Sequence, residues 1–354
     1  MPSRGYFKSK QCVAYMSFRI HKVVSPMAPN VVSVPDDHAH GHSHGGADEK
    51  PLEPVQIVWR NVLLFLGLHA AALYGLGLIL MYASLNSWLY GVLLCFLSGL
   101  GVTAGAHRLW THRAYKAKLP LRIFLAFCNC MALQNDLYEW ARDHRVHHKF
   151  AETNADPHNV NRGFFFAHMG WLMARKPRDV IEKGKTVDIS DVWADPVVRF
   201  QHRFYVPLSA LCCFVIPAAI PYYCWTEKWS VCVFGAGFFR YVICLHFTWF
   251  VNSAAHLWGN KPYDKTISAV ENKWVSAFAI GEGFHNYHHT FPWDYATSEL
   301  GYKYNFTTFF IDCMAWLGQA YDLKTASSES VQQRKARTGD GSYDHQEELK
   351  NHKD

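Results

Sequence analysis

Three groups of histidine stand out along the chain: His107-Arg-Leu-Trp-Thr-His112, His144-Arg-Val-His147-His148 and His285-Asn-Tyr-His288-His289. Residues three and four apart share one helix face. His144, His147 and His148 can therefore point into one pocket, and so can His285, His288 and His289. The five-residue spacing of His107 and His112 suits the end of a helix leaving a membrane. Neutral imidazole is a ligand for iron, copper, zinc and nickel. Eight such ligands exceed the need of one ion, so two ions are the natural count. No cysteine lies within the clusters, which argues against iron–sulfur and structural zinc. No HExxH pattern offers zinc hydrolysis. Oxygen-activating iron fits the donor set best, and copper stays open on chemistry alone.

Elements that position these groups follow from hydropathy. Half of the 354 residues are hydrophobic, and they gather in long runs near 57–82, 88–106, 204–225 and 229–255. Each run can span a bilayer, which takes about 20 apolar residues. Short turns pair them into two helical hairpins. Pro207, Pro217 and Pro221 should kink the third run. The stretch 107–203 carries sixteen Lys and Arg, against none in the first turn and Lys228 alone in the second. The positive-inside rule places that stretch and both tails in the cytosol, so all three clusters share one side. Leu121–Leu133 is apolar but short, as an interfacial or re-entrant helix would be. The expected architecture is an all-α membrane protein, with four transmembrane helices in two hairpins and a cytosolic helical cap holding the metals.

The remainder narrows the function classes. The net charge is +6, and no basic block is interleaved with aromatics, so nucleic acid is not indicated. The ten cysteines lie mostly in apolar runs without CxxC spacing, and read as reduced. No signal peptide opens the chain. Residues 1–54 read as a disordered cytosolic tail, and 327–354 as a flexible cytosolic one, flanking a membrane domain over 55–326. The His38–His44 tract in the first tail lacks any partner to orient its rings and is set aside as a ligand set. His69 and His246, inside apolar runs, read as core histidines bonded to neighbours. His158, His168 and His202 are likewise not assigned as ligands. A metal transporter would place its polar ligands near the bilayer midplane. These clusters lie outside the runs.

The order HxxxxH, HxxHH, HxxHH around two pairs of spans resembles the membrane acyl-CoA desaturases, in wording close to insect and stearoyl-CoA types. The resemblance rests on Gly101-Val-Thr-Ala-Gly-Ala-His107-Arg-Leu-Trp-Thr-His112, Asn135-Asp-Leu-Tyr-Glu-Trp140-Ala-Arg142-Asp143-His144, Asp156-Pro-His158, Asn252-Ser-Ala-Ala-His256, Gly281-Glu-Gly-Phe-His285-Asn-Tyr-His288-His289 and Thr338-Gly-Asp-Gly. It implies a ninth ligand, His256, and Asn252 reaching a metal through water. It implies two iron ions (Fe2+), O2, and electrons from cytochrome b5 and its reductase, in the endoplasmic reticulum membrane. The reaction implied is a cis double bond in a saturated acyl-CoA, at delta-9, with delta-11 desaturation or hydroxylation as alternatives. Asn61, Asn135, Arg142, Asp143, Lys176 and Trp249 match CoA contacts. Gln134, Trp140 and Thr248 match the bend in the acyl chain. Cys95 and Gly99 match the closed end of the tunnel, where smaller side chains would admit long chains.

Overall fold

The structure is a computed structural model that describes residues 31–34 and 51–343. The His38–His44 tract lies outside the described residues. Four helices are long and apolar enough to cross a membrane: Trp59–Tyr82, Leu85–Thr111, Tyr205–Trp225 and Val231–Leu257. They are called here the first to fourth spans. The second span is longer at both ends than the hydropathy reading of 88–106. At its start Ser84 caps the helix by accepting from Ser87 N, and Glu227 from the opposite hairpin accepts from Ser84 N at 2.9 Å and Ser87 Oγ at 2.6 Å. These caps replace the apolar signal that the sequence lacks there.

At its other end the second span is π-helical over Gly101–Thr111. A π-turn pairs each amide with the carbonyl five residues back, and His112 N donates to His107 O at 3.1 Å. The five-residue spacing of the first cluster thus becomes a same-face spacing. Gly101 lies where a Cβ would strike the backbone of Cys128 and Asn129. That lets the span press against the short apolar helix Leu119–Ala132. A second close crossing is at Gly75, whose missing side chain admits the backbone of Phe234 in the fourth span.

In the third span a π-turn over Leu211–Val215 precedes Pro217. Proline has no N–H, so the carbonyl four residues back lacks its usual donor. That carbonyl, Cys213 O, accepts instead from Arg240 Nη2 at 2.6 Å. Arg240 is a buried cation inside the fourth span, and also donates to Ser98 Oγ, Met131 O and Ala236 O. Carbonyls and hydroxyls rather than a carboxylate hold it, which is how an intramembrane guanidinium is kept satisfied.

Between the hairpins, the Leu137–Phe150 helix starts at Asp136, whose carboxylate accepts from the amides of Tyr138 and Glu139. The last part of the chain corrects the expectation of a frayed tail from Ser327. Residues Ser328–Thr338 form a helix capped by Ser327, with Val331 and Lys335 buried. Thr338 Oγ1 donates to Tyr263 O, and Asp340 Oδ2 accepts from Lys261 N. A charged composition concealed this docking, because the anchoring bonds are long-range. The N-terminal stretch, read as disordered, contains one exception. Val31–Val34 pairs in parallel with Leu323–Ala326. The described cysteines form no disulfide, as expected, although Cys224 is exposed rather than buried.

Candidate metal centre and cavity

Nine histidines come together as two clusters. His107, His112, His144, His148 and His288 form one, and His147, His256, His285 and His289 the other, with the ligand atoms of each within 4.8 Å of one another. Second-span His107 Nε2 is 2.9 Å from His288 Nε2, which is 2.9 Å from His148 Nε2. In the other cluster His285 Nε2 is 3.0 Å from His256 Nε2 and 3.1 Å from His289 Nε2. The two clusters abut where the His148 and His289 rings stack at 4.2 Å.

The last ligand segment departs from the simple helical reading. The fourth span changes direction at Ser253, whose backbone takes φ −114° and ψ −71°. Asn252 and His256 therefore lie on either side of a break, not one turn apart on a straight helix. Asn252 faces the cavity described below, while His256 joins the second cluster.

Side chains behind the rings fix their orientation. Glu282 Oε2 lies 2.9 Å from His107 Nδ1, Asp156 Oδ1 lies 2.9 Å from His147 Nδ1, and Ser268 Oγ lies 2.7 Å from His256 Nδ1. Each partner fixes the proton on Nδ1 and leaves Nε2 with its lone pair toward the cluster. The sequence reading gave no role to Glu282, Asp156 or Ser268. A carboxylate in Gly281-Glu282-Gly283 and in Asp156-Pro-His158, each inside a matched motif, was the signal available.

The donor set fits a divalent transition metal. It is nitrogen-only, convergent and buried. Burial, and then the neighbouring imidazoles, hold His112, His144, His148, His285, His288 and His289 well below the usual histidine pKa, so they are neutral at pH 7. Among the described residues, His112 Nε2 is buried without a hydrogen-bond partner. A buried lone pair in that position is costly unless a cation takes it. Burial alone would push the Asp156 carboxyl up, but His147 outweighs it and the pKa ends well below the ordinary value. Asp156→Asn is therefore expected to weaken metal retention in the four-histidine cluster about 10–100-fold. Metal per chain after dialysis against graded chelator checks this.

Beside the clusters lies an apolar cavity of about 400 Å³. A second space of about 260 Å³ opens on the cap side. Both are lined by Gln134, Trp140, His144, Thr248 and Asn252, so these residues form the joint between them. At this joint Gln134 Nε2 donates to Thr248 Oγ1 at 3.0 Å, and Trp140 stacks on His144 at 4.8 Å. The three residues matched to an acyl-chain bend thus sit together beside the metal ligands.

Of the six residues matched to CoA contacts, Asn135, Asp143 and Trp249 line the cap-side space. Lys176 reaches Asp143 at 2.6 Å, and Arg142 pairs with Asp143 at 2.9 Å. Asn61 donates to Leu172 O and lines neither space. Cys95 and Gly99 line the apolar cavity, but not at its end. The lining continues along the second span through Gly91 to Ser87, and reaches Glu227 on the far hairpin turn. With a thiol at 95 and no side chain at 99, nothing closes the cavity at that level.

These features define a multi-span helical membrane protein whose paired histidine metal sites flank a bent, mostly apolar cavity. The Fatty acid desaturase family model matches residues 85–304. The chain is 53% identical to the acyl-CoA Delta-9 desaturase of Acheta domesticus, over 90% of this chain and 93% of that protein. It is 57% identical to the stearoyl-CoA desaturase of Homo sapiens, over 83% and 82% of the two chains. It is 60% identical to stearoyl-CoA desaturase 5 of Bos taurus, over 81% and 85%. The chain belongs to the fatty acid desaturase family.

Proposed function

We propose that this protein is an O2-dependent acyl-CoA desaturase, placing a cis double bond at delta-9 of a saturated fatty acyl-CoA. The observation that carries the reading is the meeting of two nitrogen-only clusters with the bend of an apolar cavity. Two iron ions held there would supply the oxidising power that an unactivated methylene C–H requires, since no side-chain acid or base can remove such a hydrogen. The balance is one saturated acyl-CoA, O2, two electrons and two protons, giving the unsaturated acyl-CoA and two waters. Cytochrome b5 and its reductase are the proposed electron source. The proposed location is the endoplasmic reticulum membrane, with both termini cytosolic.

The chain's own residues bind and orient. Gln134, Thr248 and Trp140 hold the acyl chain bent, which selects one pair of carbons to face the clusters. Asn135, Asp143, Trp249, Arg142 and Lys176 serve the CoA end, and Asn61 supports that side through Leu172. Asn252 lines the joint, placed to bind water between cavity and second cluster. Apolar walls exclude bulk water from the reacting carbons.

Expression in yeast lacking its own desaturase tests the reading, with double bonds located by derivatised mass spectrometry. Delta-9 products are expected. A delta-11 product, an alcohol, or no new product from folded, iron-loaded protein would each overturn the corresponding part. Chain length supplies a further prediction. Acyl chains long enough to pass Cys95 should be accepted, because the cavity continues to Ser87. Cys95→Tyr should block that passage and move the preference toward shorter chains, by about tenfold or more in relative kcat/KM, as burial of two methylenes is worth ~1.6 kcal/mol. Competition between acyl-CoAs of graded length reads it out.

A further inference from the structure

Three histidines outside the clusters form a line inside the membrane domain. His69 on the first span places Nδ1 2.7 Å from Phe65 O and Nε2 3.2 Å from His246 Nε2 on the fourth span. His246 Nδ1 lies 2.9 Å from His168 Nε2, and His168 Nδ1 lies 2.9 Å from Ser253 Oγ. Ser253 Oγ in turn lies 2.9 Å from Trp249 O. The three rings do not share one metal, because His246 uses opposite nitrogens toward its two neighbours.

Counting protons fixes how the line works. It begins at one carbonyl, Phe65 O, and ends at another, Trp249 O, so both ends only accept. Five contacts separate them, and each needs one proton. Three neutral imidazoles and one hydroxyl supply four. Burial, and then His246, bring the His168 pKa down to about 4, so that ring is neutral at pH 7. One contact must therefore go unmade. The least costly to lose is Ser253 to Trp249 O, because that carbonyl already accepts the Ser253 amide at 3.2 Å. Every remaining donor then points one way: Ser253 O–H to His168, His168 to His246, His246 to His69, and His69 to Phe65 O. This assignment gives each ring a single tautomer.

The inner end of the line is the break in the fourth span. Ser253 is fully buried, and its backbone departs from the helix between Asn252 and His256. Rotating that break would swing His256 away from His285, now 3.0 Å apart. We propose that the His69–His246–His168–Ser253 line is a positioning device for the four-histidine cluster, holding the break at Ser253 so that His256 and Asn252 face the centre. The three histidines are positioning residues, not catalytic ones. They act through Ser253, and they join the first span to the metal site without touching it. This inference rests on the metal-centre reading above.

The test is metal content of the full-length protein, purified in detergent after loading with 57Fe, together with its Mössbauer spectrum. His246→Phe should lower iron from two to one per chain, and the signal of the remaining site should be unchanged. His246→Asn, whose amide both donates and accepts, should keep both ions. Ser253→Ala cuts the same line at its other end and should reproduce the loss, also serving if His246→Phe does not fold. The double variant should lose no more than either single one, since both act through one line. Full iron in both His246→Phe and Ser253→Ala would overturn the proposal, as would equal loss from the two clusters. A wild-type chain that takes up no iron would overturn the metal-centre reading, and this inference with it.

Discussion

His288→Ala is expected to abolish product formation and to release metal from the five-histidine cluster. His288 Nε2 touches both neighbours in that cluster, at 2.9 Å from His107 and 2.9 Å from His148. It is also the contribution of the third histidine motif to a cluster otherwise built from the first two. Its loss leaves four ligands from the second span and the Leu137–Phe150 helix, with a gap on the side facing the other cluster. Outer partners of a metal-bound histidine are already worth about 10–100-fold, so loss of the ligand itself should exceed about 100-fold in turnover. Iron per chain should fall while the four-histidine cluster stays loaded. The fold should survive, because alanine relieves a crowded set of buried imidazoles. Circular dichroism, iron analysis and product yield on one preparation check the three outcomes. Retained turnover above a tenth of wild type would remove His288 from the ligand set.

Such a variant separates what was legible in the sequence from what was not. The clusters were legible because helical spacing places His144, His147 and His148, and likewise His285, His288 and His289, on one face. The allocation between clusters was not. His147 and His148 are adjacent in sequence yet belong to different clusters, since consecutive helical residues diverge by about 100°. The four spans were visible as apolar runs, but their ends were set by Ser84, Glu227 and a π-turn, none of which carries a hydropathy signal. The far wall of the cavity was also hidden. Cys95 and Gly99 were readable as small residues, but only the packing of the two hairpins shows that the space continues to Ser87 and Glu227. The C-terminal helix was missed for a related reason. Its anchors are single residues, Val331 and Thr338, bonded or packed against segments far away in the chain. Arg240 and Arg108 are the other instances of this kind, buried charges whose partners are distant in sequence.

Arg108→Met carries the largest expected stability effect. Arg108 follows the first cluster ligand directly, yet its side chain turns away from the metals and is 1% exposed. Its Nε donates to Glu282 Oε1 at 3.0 Å, and Nη2 lies 2.9 Å from the same oxygen. Nη1 donates to Tyr295 O at 2.8 Å and Thr308 Oγ1 at 2.9 Å, and Nη2 donates to Asn305 Oδ1. The guanidinium thus ties the second span to the segments on either side of Tyr302, and it anchors the Glu282 carboxylate that orients His107. It also explains why the Asn305-Phe-Thr307 sequon is not a modification site, for Asn305 is fully buried. Removing one partner of a buried ion pair leaves the other charge without compensation, at a cost of about 3–5 kcal/mol. Burial alone would raise the Glu282 carboxyl, but Arg108 and then His107 outweigh it, and the pKa lies below the usual value. The contribution of the pair is therefore present above the unfolded carboxylate pKa and is lost as pH falls through the lowered one. Arg108→Met should abolish that dependence and lower the thermal midpoint strongly at pH 7. It should weaken the five-histidine cluster by releasing Glu282 from behind His107. Adding Glu282→Gln to Arg108→Met should restore part of the stability, because the orphaned charge is gone, but not the orientation of His107. Recovery of metal binding in that double variant would show that Glu282 matters only as a counter-charge and not as the partner of the ring.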